Sequence, residues 1–567
     1  KLDKSTDALS PDNILIFMTG PLCGSNAPTS GRFVVCAKSP LTGIWGESNC
    51  GGFFGPELKK AGYDGIIILG SSNTPKYIEI TQNFVKIKDA TNLWGKGIFE
   101  TSNILKENHG SEFVRVACIG PAGENLVKYA IIASEDKAAG RTGMGAVMGS
   151  KKLKAITVRG PKMRYIAANS EKFKLAVKKA KKHIMDSYIT EMWSKFGTSG
   201  GIDTSNAYGD LPIKYWTLGK WDKAYKISGV TAANSIYTRQ YYCFSCPIGC
   251  AHKAIVKQGD YKMNFETEAA EFETVVGFGS LILNDNLESI QKANYLCNDY
   301  GIDTISGSST IALIYYLFNN KKIKSEEIDG LEPKWGNIDI ALEMIKKIVY
   351  REGIGNLLAE GSDAVGQHFN ISSDEIATVY GMEVPYHDPR HIYGMAIAYA
   401  LATPRGPCHE SCDLFLVLLG SQLESYGIKM VEWKQDDKDM AIIGALTQDY
   451  RAIFNALILC NIADTLPETI LDILNAAAGL RLSMADFKLM GERIYMIKRL
   501  FNLKMGITPE DDILPQILLK PFNEGGAKGK TPNFTNLKKA YYEYRTFDFS
   551  TGYPNHKKLE SLGLDKL

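Results

Sequence analysis

Short runs of β-branched and aliphatic residues alternate with glycine-rich turns over the first 160 positions, at 14–17, 33–35, 65–69, 77–80, 114–119 and 153–158. Runs of this length, bounded by turn residues, predict strands. Twenty-one of the 53 glycines fall in this stretch, well above an even share, so tight loops rather than crossover helices join the strands. From about Lys162 apolar positions recur at helical spacing, over 170–188, 287–299, 304–318, 338–350, 439–460, 466–478 and 483–501. Ser170 reads as the cap of the first, with Glu171 in its opening turn. A polar stretch at 370–374, followed by prolines at 385 and 389, marks a boundary. The residues after Pro521, first rich in Gly, Lys and Asn and then aromatic, read as an extended arm over the surface. The predicted architecture is α+β and multidomain: a β-rich domain at 1–165, a mainly helical domain at 166–378 and a second at 379–567.

Composition narrows the function. The chain has 567 residues, 45% hydrophobic and 23% charged, and 65 Lys+Arg against 63 Asp+Glu leave a net charge of +2. No block of like charge stands out, which demotes nucleic-acid binding. No apolar run approaches the roughly 18–20 residues that cross a bilayer, and no signal-peptide pattern opens the chain, so a cytoplasmic protein is expected. The chain begins at Lys1 and enters a strand almost at once, from which an upstream segment is expected. Eleven cysteines, an odd number in a long chain, are no disulfide scaffold; they suit a reducing compartment in which a few thiols bind something.

The strongest local chemistry is Cys243-Phe-Ser-Cys246-Pro-Ile-Gly-Cys250. Three soft thiolates at C-x2-C-x3-C spacing can converge on a [4Fe–4S] cluster or on zinc, and both need a fourth ligand. His252 is the near candidate and Cys460 the distant one. Four glycine-rich loops, at 20–32, 48–55, 120–125 and 140–151, let backbone N–H groups approach an anion, with Arg32, Arg141 and Lys151 adding charge. Together they favour a large phosphate-bearing cofactor. Glu268, Glu271 and Glu273 run into an apolar segment, and Glu273 borders it most closely. A carboxylate drawn into that segment has a raised pKa and can move a proton. Cys408, His409 and Cys412 form an incomplete metal set in which His409 is a candidate catalytic group. His387 and His391 stand at i, i+4, but Pro389 between them breaks the helix that would present both rings, and the pair reads as structural.

In combination, GPLCGSNAPTSGRFVV, KSPLTG, SNCGGFFGPELKKAGYD, IGPAGEN, GRTGMGAVMGSKKLKAI, CFSCPIGC and CNDYGIDTIS resemble the aldehyde:ferredoxin oxidoreductase family of tungsten-pterin enzymes. The likeness extends from about Asn13 to the C-terminus, and the family normally carries a further N-terminal segment. It implies a β-rich base under a bis-pterin tungsten cofactor, with molybdenum as the other metal this ligand accepts, covered by two helical domains. It also implies a Mg2+ bridging the pterin phosphates and a [4Fe–4S] cluster on Cys243, Cys246, Cys250 and Cys460. Cofactor contacts carry over to Arg32, Asn49, Gly51, Arg141 and Gly143. The two pterin motifs carry over as Asn298-Asp-Tyr-Gly301-Ile302-Asp303 and Asn455-Ala-Leu-Ile458-Leu459-Cys460. The first replaces the family's leading Asp by Asn, and the second replaces both the leading Asp and the Gly. Glu273 and His409 fall on the family's active-site Glu and His. A bridging E-x-x-H of some members is Lys292-Ala-Asn-Tyr295 here, so a homodimer would form without a shared metal. The implied activity oxidises aldehydes to carboxylic acids and delivers electrons to ferredoxin or a ferredoxin-like subunit. The alternatives are the active-site subunit of an aromatic acyl-CoA ring reductase and a cluster-bearing scaffold that has lost its pterin.

Overall fold

The computed structural model describes residues 2–162, 165–401 and 405–567. All six predicted strands are present, as Leu15–Met18, Phe33–Lys38, Gly65–Ile68, Lys76–Thr81, Arg115–Cys118 and Leu153–Arg159. They build two sheets. The first is antiparallel and four-stranded, with Trp45–Cys50, Phe33–Lys38, Leu15–Met18 and Gly65–Ile68 side by side. The second has six strands, antiparallel except where Leu153–Arg159 runs parallel to Lys76–Thr81. Phe17, Phe33 and Phe54 pack between them with Ile156 and Val158. The remainder is mainly helical, and the fold is α+β as its residue pattern predicts.

Trp45–Cys50 escaped the hydrophobic pattern because it is polar: Glu47 and Ser48 are buried along it. Strands that furnish a site break the rules that reveal strands. The predicted helices appear with small shifts of their ends, as Ser170–Asp186, Leu287–Tyr300, Thr304–Asn319, Ile338–Tyr350, Lys438–Leu457, Pro467–Ala478 and Met484–Lys504. Asn169, not Ser170, caps the first. Its side chain accepts from Lys172 N at 3.0 Å, while the Ser170 hydroxyl turns back to Ala167 O at 3.4 Å. The tail is a second correction. It is no surface arm but carries the helices Phe534–Arg545 and His556–Ser561. Leu537, Tyr541 and Arg545 stand at i, i+4 and i+8 and are all buried, a helical stripe hidden in an aromatic run.

One apolar cluster runs through the helical region from Phe173 to Leu564 and reaches back to Leu22, Val127 and Tyr129 under the sheets. Among the described residues, no helix is long and apolar enough to cross a membrane.

Candidate active site

A cavity of about 610 Å³ lies where the sheet region meets the helices. The sheet region contributes Arg32 just before the strand Phe33–Lys38, Asn49 and Gly51 at the end of Trp45–Cys50, and Arg141 from the loop before Met144–Ser150. The mainly helical region contributes Glu273 and Asn298 from helices, Asp303 from a helix cap, and His409 and Cys460 from loops further along the chain. Cys243, Cys246 and Cys250 complete one side of the wall.

These residues also touch one another. The Arg32 guanidinium donates to Cys460 Sγ at 3.1 Å and to the Asn49 side chain. Asn49 Nδ2 donates to Asn455 Oδ1 at 3.3 Å, and Asn455 Nδ2 to Glu47 at 3.1 Å. Arg141 Nε donates to Asp303 at 3.3 Å, and its terminal nitrogens donate to Pro407 O at 2.9 Å and Glu383 O at 2.6 Å. The Asp303 carboxylate in turn caps Thr304–Asn319 by accepting from Ile305 N at 3.0 Å and Ser306 N at 3.3 Å. Residues that the chain separates by hundreds of positions thus share one polar floor.

The other predicted residues stand off the wall. Gly143, at φ 74°, sits where a Cβ would come within 2.0 Å of Lys128 O; only glycine fits, and its role here is to let the loop approach. Gly301 closes Leu287–Tyr300 at φ 85°, its carbonyl accepts from Ile131 N at 2.9 Å, and Ile302 bridges to Ala130. Leu459 is buried behind Cys460.

The helix expected to end at Cys460 stops at Leu457, because Ile458 turns left-handed at φ 62°. Ile458 takes the left-handed conformation that Gly301 has in the other motif, although it is β-branched, which costs about 1–2 kcal/mol. Ile458 is nonetheless buried against Cys23, Val34 and Cys36, and truncating a buried Ile costs about 2–5 kcal/mol. Packing outweighs strain. Ile458→Gly is expected to lower stability by about 2 kcal/mol, read as a lower urea midpoint; a higher midpoint would show that strain dominates.

All eleven cysteines are free. Burial pushes the Cys246 thiol up to about 11 and raises Cys243 and Cys250 as well, so a metal taken up here would have to displace their protons. Among the described residues, no three His, Cys, Asp or Glu side chains close on a single-ion site. Cys243, Cys246, Cys250 and Cys460 all line the one cavity. His252 stacks on Tyr237 at 4.5 Å with Nδ1 unpartnered.

Glu273 lies in the first turn of Phe272–Phe278, and its carboxylate accepts from Tyr386 N at 3.0 Å. Burial pushes its pKa up to about 7, against the opposing pull of His387, the Tyr386 N–H and Arg141. His409 Nδ1 stands 3.6 Å from Glu273 Oε1 and has no hydrogen-bond partner. Burial drives that imidazole down to about 3, so it is neutral at any working pH. The pair read as structural, His387 and His391, lies on the cavity, and both rings line it. His387 Nδ1 meets Asp210 at 2.8 Å, and its ring lies between Phe272 at 5.1 Å and Phe415 at 4.5 Å. Burial opposes a charge on it, but Asp210 more than offsets that and its pKa is raised. Sequence reading missed this dyad because Asp210 is 177 positions away. It also missed Lys137, which reaches Glu268 and Glu271 beside the cysteines.

Family profiles for the aldehyde ferredoxin oxidoreductase N-terminal domain and for domains 2 and 3 match residues 1–160 and 175–564. The chain belongs to the aldehyde ferredoxin oxidoreductase family. A tungsten-containing aldehyde ferredoxin oxidoreductase of Pyrococcus furiosus is 39% identical, over all of this chain and 92% of that one. The enzyme of the same description from Thermococcus kodakarensis is 37% identical at the same coverage. Among solved structures, the active-site complex BamBC of benzoyl coenzyme A reductase superposes with a TM-score of 0.82 at 24% identity, covering 100% of this chain and 91% of that one; at that identity the likeness is one of fold.

The donor set fits the cofactors this family implies. Orphaned His409 Nδ1 points to a polar group that this chain does not itself supply. Gly51, where a Cβ would stand 3.1 Å from Cys243 Sγ, keeps the floor open beside the thiols.

Proposed function

We propose that this chain oxidises an aldehyde to its carboxylic acid on a tungsten bis-pterin and passes the electrons through a [4Fe–4S] cluster to ferredoxin. The observation that carries the reading is the meeting of Glu273, His409 and four cysteines on one cavity. Asn49, Gly51, Arg141, Asn298 and Asp303 would hold the pterins, with a Mg2+ between their phosphates. Cys243, Cys246, Cys250 and Cys460 would hold the cluster, with Arg32 beside it. Division of the chain near 165 and 378, and a cytoplasmic location suited to free thiols, belong to the same proposal. The bound metal would supply a Lewis acid and a two-electron acceptor.

The residues of the chain account for the proton and the geometry. Aldehyde and water yield the acid, two protons and two electrons. The Glu273 carboxylate takes a proton from the attacking water, a task suited to a base whose pKa lies near the working pH. Neutral His409 donates a hydrogen bond to the oxygen on which negative charge develops. His387, held by Asp210 at 2.8 Å, which raises its pKa, stands on the same side in its aromatic slot and favours negative charge there to the extent that it is protonated.

Protein purified without oxygen is expected to hold tungsten with about four irons per chain and to reduce viologen when given an aldehyde. Iron without tungsten would favour the scaffold, and both metals without aldehyde turnover the acyl-CoA ring reductase. A pH profile tests the base. Below about pH 7 Glu273 is protonated, so kcat/KM is expected to fall about tenfold per pH unit there and to level off above. A rate that rises toward acid would make Glu273 an acid instead.

A further inference from the structure

The near-neutral total charge conceals one strongly basic helix. Ser170–Asp186 carries six lysines, at 172, 174, 178, 179, 181 and 182, against Glu171 and Asp186. Its net +4 exceeds the +2 of the whole chain. No block of like charge stands out in the linear sequence because an apolar residue interrupts the lysines every few positions. Winding at 3.6 residues per turn sends Phe173, Val177, Ala180 and Ile184 inward and leaves every lysine exposed. Among the described residues only Lys182 of the six has an ion-pair partner, Asp186 at 2.6 Å. Lysines at i, i+3 and i+4 repel one another, so the face weakens its own helix.

Its position points to a use. Ile184, in the last turn, packs in one small apolar cluster with Ile189, Trp193 and Ile248, and Cys246 and Cys250 lie against that cluster. Ile248 belongs to the cysteine loop itself. Met185 and Tyr188, at 56% and 78% exposure, form an apolar spot where the lysine face ends, and Tyr188 also reaches the cavity wall. A basic field around a small apolar spot, one layer above two cluster cysteines, suits a partner that must approach fast, come close and leave again.

We propose that the lysine face of Ser170–Asp186 with Met185 and Tyr188 is the docking surface for a small acidic one-electron carrier protein of the ferredoxin kind. This rests on the electron-transfer reading above. Each encounter takes one electron, and two encounters clear the pair released by one aldehyde.

The test uses the holoenzyme with Lys174, Lys178 and Lys181 all changed to Glu, and an acidic single-cluster, one-electron ferredoxin as probe. Glutamate is as good a helix former as lysine; the corresponding Gln variant gives a second measure if the Glu variant fails to fold. Binding is read by anisotropy of labelled ferredoxin, and turnover with ferredoxin and with viologen. The expected result is at least about a tenfold loss in ferredoxin affinity and in kcat/KM for ferredoxin at low salt, with viologen turnover unchanged. The wild-type affinity falls as salt is raised, and the variant's much less. Wild-type ferredoxin binding and reduction by the variant would overturn the proposal. So would unchanged ferredoxin behaviour accompanied by loss of binding to a labelled single-stranded oligonucleotide, which would make this a nucleic-acid face. Failure of the wild type to reduce viologen with any aldehyde would refute the activity, while the anisotropy series still decides the docking surface.

Discussion

Glu273→Gln is expected to lower kcat for aldehyde oxidation by about 10²–10⁴, the range spanned by a positioned general base, while iron and tungsten contents stay at wild-type values. Glutamine keeps the shape and an oxygen that can accept from Tyr386 N, so Phe272–Phe278 and the cavity wall hold. What it loses is the ability to take a proton. Burial has already brought the carboxyl to about 7, so the same substitution should flatten the acid limb of the pH profile. His409→Gln is expected to lower the rate without removing that limb, because the imidazole is neutral throughout. Full activity in the Glu273 variant would remove the assignment.

The second large effect concerns stability. Arg545 ends the helix Phe534–Arg545, is fully buried and grips Asp449 through two contacts at 2.8 and 2.9 Å. It also donates to Ala445 O at 2.9 Å and lies 4.0 Å over the Tyr495 ring. Arg545→Met strands the Asp449 carboxylate in the core, and removing one partner of a buried pair costs about 3–5 kcal/mol. The urea midpoint should drop accordingly. Removing both charges, as in Arg545→Met with Asp449→Leu, should recover most of the loss, since no buried charge is left unpaired. Asp449 sits on Lys438–Leu457, the helix that carries Asn455 and leads into Cys460, so the single variant should also lose iron faster to a chelator than the double one. Equal losses in both variants would show that the pair matters through packing alone.

Strands and helices with a clean apolar period were legible because burial of one face imposes the period directly. What stayed hidden follows one rule. Trp45–Cys50 is polar because it faces the site, and the aromatic tail conceals a helix whose stripe only makes sense against Asp449. The lysines of Ser170–Asp186 form a face only once the helix is wound. The cysteine loop was conspicuous because its three thiols are close in sequence. The His387–Asp210 dyad was not, since nothing local marks a histidine whose partner is 177 positions away.

By itself, then, the sequence determined the α+β class, the close grouping of Cys243, Cys246 and Cys250, and membership of a family whose motifs it carries in order. Those features rest on local periods, spacings and residue types. Only the tertiary structure decided that Arg32, Asn49 and Cys460 touch, that Arg141 meets Asp303, and that Glu273 and His409 face each other in a buried pocket. It also decided that a basic helix lies one apolar cluster away from Cys246 and Cys250. Proton affinities and charge patterns depend on which groups burial brings within a few ångströms, and chain order does not specify that.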